Sequence, residues 1–165
     1  FNATTLVQHL GVNDAPHGHI HLIAADLVQE GASIAPLNPD FAENLYFVYL
    51  NKKQSSKVAI ASYYNNKNNH LEKNINTNNT ITQAVIEATT LKSFAAAIEK
   101  HEIAMSNILE MKTVKEALFP DFKGVLKSLG AWGGDFILAI SKENPKDYFA
   151  SKGYETIIPY SEMIL

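Results

Sequence analysis

The stretch Lys127-Ser128-Leu129-Gly130-Ala131-Trp132-Gly133-Gly134-Asp135-Phe136-Ile137-Leu138-Ala139-Ile140 decides how the rest of the chain is read. Its apolar, β-prone flanks, Gly124 to Leu129 and Phe136 to Ile140, are separated by three glycines and the only tryptophan. That spacing predicts two strands joined by a tight connection, a β-hairpin. Gly130, Gly133 and Gly134 can adopt positive φ and allow a second backbone or a ligand to approach closely, which a Cβ would hinder. Two readings of the glycines follow: a loop that binds something, or a loop that only turns the chain.

Ser128-Leu129-Gly130-Ala131-Trp132-Gly133-Gly134-Asp135-Phe136 resembles the third, glycine-rich motif in the C-terminal domain of GHMP kinases, the family of galactokinase, homoserine kinase, mevalonate kinase and phosphomevalonate kinase. It is similar above all to the Leu-Gly-Ala-Trp-Gly-Gly-Asp form of a bacterial subgroup of GHMP kinase-like proteins. Two other stretches resemble the same subgroup: Glu43-Asn44-Leu45-Tyr46-Phe47-Val48-Tyr49-Leu50-Asn51-Lys52-Lys53-Gln54-Ser55-Ser56 and Gly153-Tyr154-Glu155-Thr156-Ile157-Ile158-Pro159-Tyr160. The resemblance divides the chain into an irregular N-terminal segment, residues 1–38, and a GHMP kinase C-terminal-like domain, residues 39–165.

Composition sets the outer bounds. The 165 residues suffice for one domain with a substantial core. A hydrophobic content of 46%, 19% charged residues and a mean hydropathy of −0.10 describe a globular chain rather than a disordered one. No apolar run approaches the ~20 residues of a spanning helix, so no membrane partner is expected. Phe1 is not an initiator Met and no signal-peptide pattern follows it, so a processed or truncated product is expected. A net charge of −3 gives no basic field for nucleic acid. All 14 basic residues are lysines, so phosphate recognition falls to backbone N–H groups and Lys rather than to a bidentate guanidinium. Without cysteine there is no disulfide or thiolate site, and a cytoplasmic location is the default expectation.

The N-terminal segment carries Pro16-His17-Gly18-His19-Ile20-His21, whose alternating histidines share one face if extended. His17, His19 and His21, with Asp14 or Asp26, offer a set of ligands for a divalent metal; with no cysteine and no second His cluster, an exposed strand or loop is the expectation instead. Leu45 to Leu50 reads as a strand buried on both faces, leading into the polar Asn51-Lys52-Lys53-Gln54-Ser55-Ser56 and a helix over Val58 to Tyr64. Asn65 to Asn79 reads as a helix end and a surface loop. Helical periodicity then predicts two helices split near Thr89-Thr90, with Glu99, Lys100 and Glu102 on a solvated face and His101-Glu102 as a surface pair. Thr113 to Phe119 predicts a short helix stopped at Pro120. Asn144-Pro145 marks a helix start and Gly153 its stop, before a last strand from Tyr154 to Ile158.

The resulting order predicts an α+β fold, a ferredoxin-like β-α-β-β-α-β layer with an enlarged first helical crossover and helices on one face. The resemblance implies the same fold. It further implies that ATP, Mg²⁺ and a small-molecule substrate meet in a cleft between this domain and an N-terminal half. On that basis Ser128, Gly130, Trp132, Gly133, Gly134, Lys53, Gln54 and Ser56 are candidate substrate- or phosphate-binding residues, and Asp135 is a candidate general base, Mg²⁺ partner or turn cap. The chain departs from the family where it matters for nucleotide: nothing matches the Pro-x-x-x-Gly-x-Gly-Ser-Ser-Ala phosphate loop, nor the first motif with Lys and Gly-Glu. ATP and Mg²⁺ are therefore expected only if an N-terminal half is supplied. Two functions stay open at this point: the substrate-side domain of a small-molecule kinase, or a non-catalytic descendant that binds a ligand or forms a homodimer. A His-based metal protein is a third.

Overall fold

A computed structural model describes residues 39–52, 71–130 and 135–163. After a single 3-10 turn over Ala42–Asn44, strand β1 spans Leu45–Tyr49. Helices α1 (Leu71–Ile86), α2 (Leu91–Leu109) and α3 (Val114–Leu118) follow, then β2 (Val125–Ser128) and β3 (Phe136–Ile140). Helix α4 (Lys146–Ser151), strand β4 (Ile157–Pro159) and helix α5 (Tyr160–Met163) complete the described elements. The strands form one antiparallel sheet in the order β2-β3-β1-β4.

The sheet is organised by its two inner strands. β1 pairs with β3 from Leu45↔Ile140 to Tyr49↔Phe136 and with β4 from Tyr46↔Pro159 to Val48↔Ile157. Its continuous apolar run is explained by burial on both faces: Leu45 and Phe47 join one core, and Tyr46 and Val48 the other. Pro159 sits in β4 without breaking a ladder because β4 is an edge strand.

Helices α1 and α2 pack on each other and cover the face of Leu45, Phe47, Leu138 and Ile140 with Val85, Phe94, Ala97 and Ile98. The opposite face, Tyr46, Val48, Ile137 and Ala139, is covered by Val114 of α3, Phe119, Phe122 and Phe149 of α4. Phe149 lies edge-on to Phe119 at 5.1 Å between ring centroids and 5.2 Å from Phe122. Expecting helices on one face alone is thus corrected: the phenylalanines flanking Pro120 and the one in α4 give the second face its own apolar cover.

The Asn-rich stretch is the second correction. Residues 71–79 are helical rather than a surface loop, although Asn is a weak helix former. Ile75, Asn78, Ile81 and Val85 recur at helical spacing, and packing of that stripe against α2 outweighs local propensity. The split near Thr89-Thr90 is as expected and has a clear cause. Thr90 is an N-cap in a capping box, its Oγ1 accepting from Ser93 N at 3.1 Å while Thr90 N donates to Ser93 Oγ at 3.2 Å. Thr113 and Glu116 form the equivalent box at α3. The final strand begins later than expected, at Ile157, after Gly153 at φ +86° ends α4.

Candidate functional site

The three stretches singled out in the sequence meet at one end of the sheet. Because β3 runs antiparallel to β1, the start of β3 lies beside the end of β1: Leu50 N donates to Asp135 O at 2.7 Å, and the rings of Tyr49 and Phe136 lie 5.1 Å apart. On the other side of β1, Tyr49 N donates to Thr156 O at 3.0 Å, and Asn51 Nδ2 to Gly153 O at 3.3 Å. β2 ends at the same level, with Leu129 N donating to Phe136 O at 3.1 Å. Asn51 and Lys52 after β1, the two ends of the glycine-rich connector and the residues before β4 thus share one rim. Three backbone positions there have positive φ: Asn51 at 54°, Gly130 at 64° and Gly153 at 86°.

Behind the rim lies a buried polar cluster. Glu102 of α2, against expectation, is 3% exposed. Its carboxylate accepts from Ser128 Oγ at 2.8 Å and Ser128 N at 3.1 Å, and pairs with Lys127 Nζ at 3.3 Å. Lys127 Nζ also donates to Ser128 O at 2.6 Å. Burial pushes the Lys127 ammonium below its usual range, against the opposing pull of Glu102. His101 is buried as well, and among the described residues neither ring nitrogen has a hydrogen-bond partner. Burial, and secondarily the Lys127 charge, lower its pKa to about 3, so it is neutral at pH 7.

The surface-pair reading of His101 and Glu102 is therefore corrected. A signal was present: position 101 continues the Phe94, Ile98, Met105 stripe, and 102 falls beside it. Likewise Lys127 occupies the apolar side of the Val125, Lys127, Leu129 alternation, which is what an inward-pointing charge on an edge strand looks like.

Of the sequence-derived candidates, Ser128 is buried and committed to Glu102, while Gly130 and Asp135 are half-buried at the two ends of the connector. Trp132, Gly133, Gly134, Lys53, Gln54 and Ser56 lie outside the described residues, as do His17, His19 and His21. Among the described residues no three His, Asp or Glu side chains are grouped to hold a metal ion. A cleft of about 290 Å³ runs along the outer side of β2 and includes Glu99, Glu102, Ile103, Lys115 and Glu116. No described helix is long and apolar enough to cross a membrane.

No family model matches the sequence, and no curated protein matches it. Solved structures similar in fold include the following two. The Lin0012 protein from Listeria innocua superposes with a TM-score of 0.63 at 15% identity, over 78% of this chain and 41% of that one. Streptococcus pneumoniae phosphomevalonate kinase, in complex with phosphomevalonate and AMPPNP, superposes with a TM-score of 0.58 at 20% identity, over 77% of this chain and 42% of that one. The chain spans about two fifths of the length of either structure. At these identities the likeness is one of fold: this α+β arrangement is shared with part of a kinase of the GHMP family.

Proposed function

We propose that this chain is the C-terminal, substrate-side part of a GHMP-type kinase that phosphorylates a small alcohol or phosphorylated small molecule. The observation that carries the reading is the convergence at one sheet end of the three stretches that resemble the family, joined by the Leu50–Asp135, Tyr49–Thr156 and Leu129–Phe136 hydrogen bonds. The strand order, which is that of a split β-α-β arrangement, supports a ferredoxin-like ancestry, and the fold likeness to a phosphomevalonate kinase supports the kinase assignment.

Phosphoryl transfer asks little covalent chemistry of a protein and much positioning. In this reading ATP and Mg²⁺ are held by an N-terminal half, and Mg²⁺ neutralises charge on the transferred group. The rim of this chain orients the acceptor. Gly130 allows main-chain approach, and with no arginine in the chain the phosphate of a phosphorylated substrate is met by backbone N–H groups and by lysines. The cleft along β2, with Glu99 and Glu116 beside Lys115, carries the wrong sign for a phosphate and is not assigned to it.

The test is an amide chemical-shift titration of the chain with phosphomevalonate and related phosphorylated alcohols, and separately with Mg·ATP. Shifts confined to Leu50–Lys52, Ser128–Gly130 and Asp135–Phe136, with dissociation constants of order 1 mM, are expected for the phosphorylated alcohols. Mg·ATP alone should leave those amides unmoved. Failure of every phosphorylated alcohol to shift them would remove the substrate-side reading in favour of a non-catalytic, self-associating descendant.

A further inference from the structure

The residue at which β2 leaves the sheet is held by more atoms than strand pairing requires. Ser128 pairs with Ile137 in the β2–β3 ladder, and β2 is an edge strand, so its outward main-chain groups face no further strand. On that outward side Glu102 takes both the N–H and the hydroxyl of Ser128, and Lys127 Nζ takes the carbonyl while pairing with the same carboxylate. Every polar group of Ser128 that can bond outward is thereby satisfied by a buried ion pair anchored in the middle of α2. Two residues later Gly130 turns the chain through positive φ into the connector.

We propose that Glu102 and Lys127 are positioning residues for the glycine-rich connector: they lock Ser128 to α2 and so fix the direction in which Leu129 and Gly130 leave the sheet. The bearing of this lock on ligand binding rests on the kinase reading above; the lock itself rests on the Ser128 geometry. A pair serving stability alone needs only the Lys–Glu contact, and a buried ion pair is often no more stabilising than an apolar pair of the same size. Here Glu102 also accepts from the N–H and the hydroxyl of Ser128, and Lys127 donates to its carbonyl, so both partners hold the residue that enters the connector. The same contacts block β2 to an incoming strand at that residue, and Lys115 Nζ does so at the other end by donating to Gly124 O at 2.8 Å.

The decisive comparison is Lys127→Met against the double variant Glu102→Gln/Lys127→Met. The single change strands a buried carboxylate and lowers global stability; the double leaves no buried charge and should recover most of it. Amide hydrogen exchange in the ligand-free protein then separates the roles. If the pair positions the connector, the amides of Leu129 and Gly130 exchange about tenfold faster or more in the double variant, while those of Phe94 and Ile98 in α2 keep wild-type protection. If the double variant restores the connector amides together with stability, or if exchange rises evenly over the whole sheet, the pair is structural only and the proposal is overturned. Binding of phosphomevalonate, followed by the same amides, should weaken about tenfold in the double variant. A wild-type chain that binds no phosphorylated alcohol would sink the kinase reading, and the exchange comparison would still decide the lock.

Discussion

His101 shows how a single residue can set the response of the whole chain to acid. Burial, aided by the neighbouring Lys127 charge, holds it neutral down to about pH 3, whereas an unfolded histidine takes up a proton near pH 6.5. Between those values the unfolded state binds a proton that the folded state refuses, so stability falls as pH drops below 6.5 and is unaffected above it. The loss amounts to about 2 kcal/mol at pH 5. Replacing His101 with Leu should remove that share. Urea denaturation at pH 7 and pH 5 is the check: the wild type should lose about 2 kcal/mol more than the variant over the interval, and equal losses would show that His101 is accessible to protons in the folded chain.

At the scale of the element, β2 owes its alignment to a glycine that the hairpin reading placed merely at its edge. A Cβ on Gly124 would stand 2.2 Å from Ile140 O and 2.6 Å from Cε1 of Phe122. Neither can yield freely, since Ile140 belongs to the β3 ladder and Phe122 to the second core. Gly124→Ala should cost about 3 kcal/mol in chemical denaturation through displacement of β2 from β3. Gly130→Ala offers the internal control. Its Cβ would meet no described residue within 4 Å, so the positive φ is the penalty, at about 1 kcal/mol. Equal costs would show that the close packing around Gly124 is not maintained in solution.

At the scale of the molecule, the sheet is a shared wall between two cores, one under α1 and α2 and the other under α3, α4 and the Phe119–Phe122 turn. Central strand β1 sends Leu45 and Phe47 into the first and Tyr46 and Val48 into the second, so neither core can melt while the other keeps its wall. Phe119 is fully buried and touches the rings of Phe149 and Tyr154 at 5.1 and 5.2 Å. Phe119→Ala should therefore cost about 3–5 kcal/mol and shift a single transition seen alike by near-ultraviolet and far-ultraviolet circular dichroism. Two separated transitions would mean that the cores fold independently.

The sequence by itself determined the features that depend on short-range chemistry. The alternating and continuous apolar runs of β1 and β3, the capping pairs at Thr90 and Thr113 and the stops at Pro120 and Gly153 are local, and each is legible in a window of a few residues. The α+β class followed from their order. Tertiary structure alone decided the rest. Asn-rich α1 is a helix because its sparse apolar stripe packs on α2, and no local preference of Asn would indicate it. Which sheet face each helix covers depends on contacts between residues far apart in sequence, such as Phe149 with Phe119 and Phe122, or Phe47 with Tyr160. The candidate rim was legible only as three separate motifs; antiparallel pairing of β3 and β4 with β1 is what brings them together. The Glu102–Lys127 lock was hidden for a related reason: a charge looks solvated in sequence until its partner, here 25 residues away, meets it in the interior.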